Sequence, residues 1–249
     1  MSIYIILLFL GTILGSFYNV AGLRIPQNQS VSLPRSHCPH CNHTLSPLEL
    51  VPVLSYIFLS GKCRRCKAPV SALYPAVELS TGILFAAAPL IMGWTAELFI
   101  AWTVISLVII VFVSDFKYMI IPDKILLFFA AVLIAERIFI PLSPWWDSFA
   151  GAVIGFFLLL LIAVISKGGM GGGDIKLYAV IGIALGAKLV LLSFFLATLF
   201  GAAIGGLGMI LGIVQKGKPI PFGPFIGIGT LLAYFCGSEL IEWYFHSFL

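Results

Sequence analysis

Asp115 and Asp174 are carboxylates at the edges of long apolar runs, and Cys38, Cys41, Cys63 and Cys66 form two Cys-x-x-Cys turns. These six side chains are where the sequence could do chemistry. The cysteines are the simpler case: Cys38-Pro39-His40-Cys41 is followed after twenty-one residues by Cys63-Arg64-Arg65-Cys66. Each short turn aims two thiolates at one point, and two turns together supply the four tetrahedral ligands that close a structural zinc site. A redox role is the alternative for the same pairs, and a reducing cytosol argues against two disulfides there. His37, His40 and His43 crowd the first turn as substitute ligands, but four thiolates already complete the shell. Cys236 stands alone in an apolar stretch and reads as a small filler.

Asp115 ends an apolar run in Val113-Ser114-Asp115-Phe116-Lys117, and Asp174 begins another in Gly172-Gly173-Asp174-Ile175-Lys176. A carboxylate within a membrane span costs several kcal/mol, so each is a functional candidate by default. The bland reading makes them boundary residues. An Asp at a helix N-terminus satisfies free amides and suits the dipole, which accounts for Asp174 and for Asp123 after Pro122. Asp115 sits at a C-terminal end, facing the negative pole, and is not explained that way. In a second reading the two carboxyls share one proton, so that one stays protonated while the other acts as base on a water; such a pair hydrolyses a peptide bond with neither metal nor covalent nucleophile. An ion or proton pathway is the third. Residue types alone leave all three open. The stretch Gly168-Gly169-Met170-Gly171-Gly172-Gly173 is not a phosphate cradle, since it lacks the Lys-Ser/Thr ending and the preceding strand.

The elements that must position these groups are membrane helices. The chain is 61% hydrophobic and 10% charged over 249 residues, against roughly 25% charged for a soluble domain. Apolar runs recur at bilayer-crossing length, about 17–25 residues, predicting spans at 3–23, 72–92, 97–114, 124–140, 147–166, 175–187, 189–214 and 222–246, the sixth being short. The fold class is therefore an all-α integral membrane protein of about eight spans. The first run lacks the basic start and cleavage site of a signal peptide and is expected to stay as an anchor. With Met1 outside, the cytosolic segments hold Arg24, Arg35, Lys62, Arg64, Arg65, Lys67, Lys117, Lys124, Lys167, Lys176, Lys216 and Lys218, while only Arg137 and Lys188 fall on the other side. That asymmetry obeys the positive-inside rule. The net charge of +4 is thus a topology signal with some attraction to anionic lipid, and it gives no reason to invoke nucleic acid. Three units follow: the first helix at 1–23, a cytosolic zinc-binding segment at 24–71, and a membrane domain at 72–249. The middle unit is too small for a hydrophobic core alone, which is where a metal staple is needed.

Gly15-Ser16-Phe17-Tyr18-Asn19-Val20, the paired cysteine turns, Pro52-Val53-Leu54-Ser55-Tyr56, Tyr74-Pro75-Ala76-Val77-Glu78-Leu79, Asp115 with Ile121-Pro122-Asp123, Gly171-Gly172-Gly173-Asp174-Ile175-Lys176 and Pro221-Phe222-Gly223-Pro224 resemble, in order and over most of the chain, the motifs of the type IV prepilin peptidases. The resemblance implies a membrane aspartic endopeptidase of the bacterial inner membrane. Such enzymes cut the basic leader of prepilins or pseudopilins after a Gly at the cytosolic face, for pilus assembly, secretion or DNA uptake. Asp115 and Asp174 match the family's two catalytic aspartates; Asp123 matches a nearby Ile-Pro-Asp element and is kept as a helix-start residue. The four cysteines match those of bifunctional members, whose first cytosolic loop is linked to N-methylation of the new N-terminus with S-adenosylmethionine as methyl donor. No Gly-rich Rossmann turn supports the methylation independently. The rivals are a peptidase without methyltransferase activity and, from another class, a zinc-stapled proton-coupled transporter. Basic loops would repel a basic leader, and Glu49 and Glu78 are the acids available to offset this.

Overall fold

The fold was read from a computed structural model, which describes residues 2–167, 169–212 and 220–248. Its helices are α1 (Ser2–Arg24), the short α2 (Leu54–Phe58), α3 (Leu73–Met92), α4 (Glu97–Tyr118), α5 (Asp123–Phe139), α6 (Asp147–Ile165), α7 (Gly172–Ile210) and α8 (Gly223–Phe248). Six of them, α1, α3, α4, α6, α7 and α8, are long and apolar enough to cross a membrane, making this a multi-pass membrane protein. The expected loop residues Lys216 and Lys218, Gly168 of the glycine run and the end of the 189–214 span lie outside the described residues.

Helix α7 accounts for part of the difference between six long helices and eight expected spans. Its 39 residues would reach about 58 Å if straight, nearly twice a hydrocarbon core. Gly186 breaks it, with φ +77° and ψ 176°, a left-handed conformation that side-chain-bearing residues rarely adopt. The chain doubles back there: Tyr178, eight residues before Gly186, and Phe194, eight after, bring their rings to 5.8 Å. Asp147, at the start of α6, accepts the Ala187 N–H at 3.2 Å and so caps the returning half. The first half is only about 21 Å long, so the short sixth span is a half-length helix. With α5, of 17 residues, there are eight helical rods. The third runs to Tyr118 rather than 114, because Met119 in the left-handed region closes it by donating to the Asp115 carbonyl at 2.8 Å. Asp115 thus lies inside the last turn of α4.

Small residues set the packing, as they do where lipid supplies no hydrophobic drive between helices. Gly11 and Gly15 of α1 press on α3, where a Cβ on either would come within 2.8 Å of the Gly82 or Glu78 Cα. Gly151 and Gly155 of α6 meet the backbone of α7 in the same way. Helix α4 is the most enclosed span, and it carries Asp115 in its last turn, at one end of the bundle.

Candidate active site and metal centre

Three chain segments converge on Asp115. The residue is 6% exposed, and its Oδ2 accepts the Gly223 N–H at 2.7 Å, so the first amide of α8 holds the carboxylate at the end of α4. Gly223 has no room for a side chain, since a Cβ would lie 2.8 Å from that oxygen. Ser114 donates to the Ile120 carbonyl, folding the chain after α4 toward Ile121-Pro122. Gly173 packs on that turn, where a Cβ would meet Ile121 at 2.9 Å, and this close approach brings the first turn of α7 beside the end of α4. Asp174 follows, half-buried, its Oδ2 leaning over Gly171. The close approach of Gly173 to the turn after α4 sets it beside the end of the helix that carries Asp115. Lys176, the nearest cation in sequence, is turned away to pair with both Asp123 oxygens at 2.8 Å. Asp123 therefore has a partner of its own as the first residue of α5, behind Pro122 at the N-cap. Among the described residues no cation pairs with Asp115 or Asp174.

The cysteines form two turns of one design. Cys38 N–H donates to the His43 carbonyl and Asn42 N–H to the Cys38 carbonyl; Cys63 and Lys67 repeat the pattern with Ala68 and Cys63. Asn42 and Lys67 both take positive φ, at 52° and 61°. All four Sγ atoms lie within 4.8 Å of one another, with Cys38–Cys66 at 3.7 Å and Cys41–Cys63 at 3.9 Å. Four thiolates about 2.3 Å from a tetrahedral zinc stand about 3.8 Å apart, so the cage fits that ion, while a disulfide would need about 2.05 Å. The amides of Cys66 and Arg65 draw the Cys63 thiol down to about 6, while, against the Ala68 amide, desolvation and the neighbouring sulfurs push Cys66 up to about 11, so the thiols of the cage do not ionise together without a cation among them.

The two acids proposed to receive a basic leader are engaged elsewhere. Glu78, buried in α3, accepts the Val53 N–H at 2.7 Å, clamping the Pro52–Tyr56 turn, with Val53 at φ +61°, onto the membrane domain. Glu49 closes a capping box with Ser46, Oε2 lying 2.9 Å from the amide and 2.7 Å from the hydroxyl. Those two donors hold its carboxyl below the usual range. Its Oε1 is buried without a partner, and the residue lines a cleft of about 470 Å³ with His43, Ser46, Arg64 and Arg65. The size suits a nucleoside-sized molecule. Two arginines and an acid lining one cleft suit a molecule that carries both a carboxylate and a cationic group.

Sequence reading missed the service of Gly223 to Asp115. It also missed the cluster at the other end of the bundle, where Arg137 is 6% exposed and paired with Glu97. The Pro-Phe-Gly-Pro motif was the available signal for Gly223; for Arg137 it was a charge inside an apolar run.

Residues 9–92 match the bacterial peptidase A24 N-terminal domain, and residues 102–206 match the type IV leader peptidase family. A Bacillus subtilis protein named prepilin leader peptidase/N-methyltransferase is 48% identical over 239 residues, 96% of each chain. Proteins of the same name from Aeromonas hydrophila and Pseudomonas aeruginosa are 36% and 31% identical, covering 88% and 95% of this chain and 78% and 91% of their own. No solved structure matches. With both domains in order and relatives aligned almost end to end, the chain belongs to the type IV leader peptidase family.

Proposed function

We propose that this chain is a membrane aspartic endopeptidase that removes the basic leader of type IV prepilins or pseudopilins at the cytosolic face of the bacterial inner membrane, and that it N-methylates the new N-terminus. The observation that carries the reading is the approach of Asp115 and Asp174 at one end of the bundle, where Gly173 packs on the turn after α4, with no cation paired to either among the described residues. Neighbouring carboxyls resist double ionisation, so one keeps a proton to polarise the scissile carbonyl while the other takes a proton from the attacking water. The Gly223 amide favours charge on Asp115 Oδ2. A prepilin's apolar helix stays in lipid while its cut site meets the carboxyls at the water boundary. The positive-inside count supports a cytosolic position for that boundary. Gly223→Ala is expected to displace Asp115 and lower the cleavage kcat about 10–100-fold in a folded protein, measured against a prepilin in detergent; an unchanged kcat would show the amide contact to be dispensable.

Zinc in the four-cysteine cage is the structural metal of the 24–71 unit, and S-adenosylmethionine is the methyl donor. Bound, the donor supplies an electrophilic methyl group. Arg64 and Arg65 would hold its carboxylate, and the free Glu49 oxygen its cationic end. Mass spectrometry of a prepilin treated with the purified chain tests the reading: leader loss is expected without donor, and one added methyl on the new N-terminus with it. Replacing Arg64 and Arg65 with Ala is expected to weaken donor binding about tenfold or more by calorimetry, with cleavage within about twofold of wild type. Cleavage without any methyl gain would leave a peptidase alone. Proton flux into proteoliposomes with no cleavage would support the transporter.

A further inference from the structure

Remote from the aspartates, one guanidinium joins the two helices that carry them. Arg137, in the last turn of α5, donates from Nη1 to Glu97 Oε2 at 2.9 Å and from Nη2 to Glu97 Oε1 at 2.7 Å. Nη2 also donates to the Ala184 carbonyl, and Nη1 to that of Ile140 at 3.2 Å. Tyr234 of α8 adds its hydroxyl to Glu97 Oε1 at 2.9 Å. The neighbouring Glu136 takes the Thr103 hydroxyl instead. Glu97 begins the helix that carries Asp115 in its last turn, and Ala184 lies at the end of the half-helix that carries Asp174 in its first turn. The Ala184 carbonyl is among the last four of that half-helix, which the Gly186 turn leaves without helical donors.

We propose that Glu97 and Arg137 are positioning residues that set the axial placement of the Asp174 helix against the Asp115 helix; the inference rests on the aspartic-peptidase reading. Helices α4 and α7 touch each other only sparingly and are joined mainly through α8, which packs on both; the links that tie them more directly are Gly173 on the Ile121 turn at the near end and this guanidinium at the far end. An α-helix is stiff, so a slide at Ala184 reaches Asp174 undiminished. A buried ion pair is no efficient stabiliser, since apolar side chains of similar volume often do as well or better. Its forked hydrogen bonds supply direction, which apolar packing does not.

The test uses the double variant Glu97→Leu with Arg137→Met, because removing one partner alone would strand a buried charge and risk unfolding. Thermal unfolding, the kcat and KM of prepilin cleavage, and methylation of an already cut pilin peptide are measured. A folded double variant is expected to lose about 10²-fold in cleavage kcat, with KM and methylation within about twofold of wild type. Arg137→Lys, which keeps the charge but not the fork, is expected to fall between. Wild-type kcat in the folded double variant overturns the proposal. So does a parallel loss of cleavage, methylation and thermal stability, which marks general disruption. Should the double variant itself not fold, Tyr234→Phe and Arg137→Lys decide on the same kcat and KM readout, and wild-type kcat in both overturns the proposal. Asp174→Asn, assayed alongside, separates the two ideas: if it cleaves, the peptidase reading has failed, and if it is dead while the double variant is normal, only the positioning role has.

Discussion

Asp115→Asn and Asp174→Asn are each expected to lose prepilin cleavage by about 10³-fold or more while the protein stays folded. Both substitutions are isosteric. The carboxamide introduced at position 115 would still offer an oxygen to the Gly223 N–H, so the contact that joins α4 to α8 survives, and a buried negative charge disappears. Stability should hold or rise. What is lost is the ability to give up and take a proton, which general acid–base chemistry values at about 10²–10⁴-fold for one group, and no other carboxyl stands in. Asp123→Asn is the internal control: its carboxylate is exposed and occupied with Lys176, and its cleavage should remain within about twofold. A boundary role for Asp174 predicts the opposite ordering, with a modest loss of helix stability and cleavage retained. Leader release by folded Asp174→Asn would therefore return that residue to helix capping and leave the peptidase without a mechanism.

Hydropathy is a local property, and what it governs was legible. The long apolar helices, the half-length sixth helix and the long polar stretch between α1 and α3 each follow from counting apolar residues over a bilayer's thickness. The cysteine cage was equally open to reading, because a Cys-x-x-Cys turn fixes both thiolates through a few local backbone bonds. The carboxyl pair was half legible. Asp115 was conspicuous because a C-terminal acid opposes the helix dipole, yet its stabilising partner, the Gly223 amide, lies 108 residues away and is a backbone group no residue type announces. Glu78 misled for a related reason. As an acid it suggested a receptor for a basic leader, but its carboxylate is consumed by the Val53 amide. Arg137 was placed at the outer side by charge counting, which registers topology and cannot register that a guanidinium turns inward to Glu97 and Ala184. Tertiary hydrogen bonds to backbone are the shared element in these cases, and they have no sequence signature.

Chelation of zinc, or Cys63→Ser, is expected to unfold the segment between α1 and α3 while the helical bundle persists. Between residues 25 and 72 only Cys38 and Cys63 are buried, so the segment has no apolar core and the metal cage takes its place. Structural zinc contributes about 10–16 kcal/mol of binding free energy in small domains of this kind, more than the capping box at Ser46 and the Val53–Glu78 bond supply, each worth about 1–3 kcal/mol. Metal analysis of the purified chain should find about one zinc, falling to near none in Cys63→Ser. Limited proteolysis should then cut within this segment and spare the helices. Donor binding should vanish, because Arg64, Arg65 and Glu49 are held together only by the folded turns. Cleavage should persist within a few-fold, since Asp115 and Asp174 are set by α4, α7 and α8. A zinc-free protein whose segment still resisted protease would show that its fold rests on something other than the metal, and two thiols released only by reductant would favour the redox alternative despite the 3.7 Å and 3.9 Å sulfur separations.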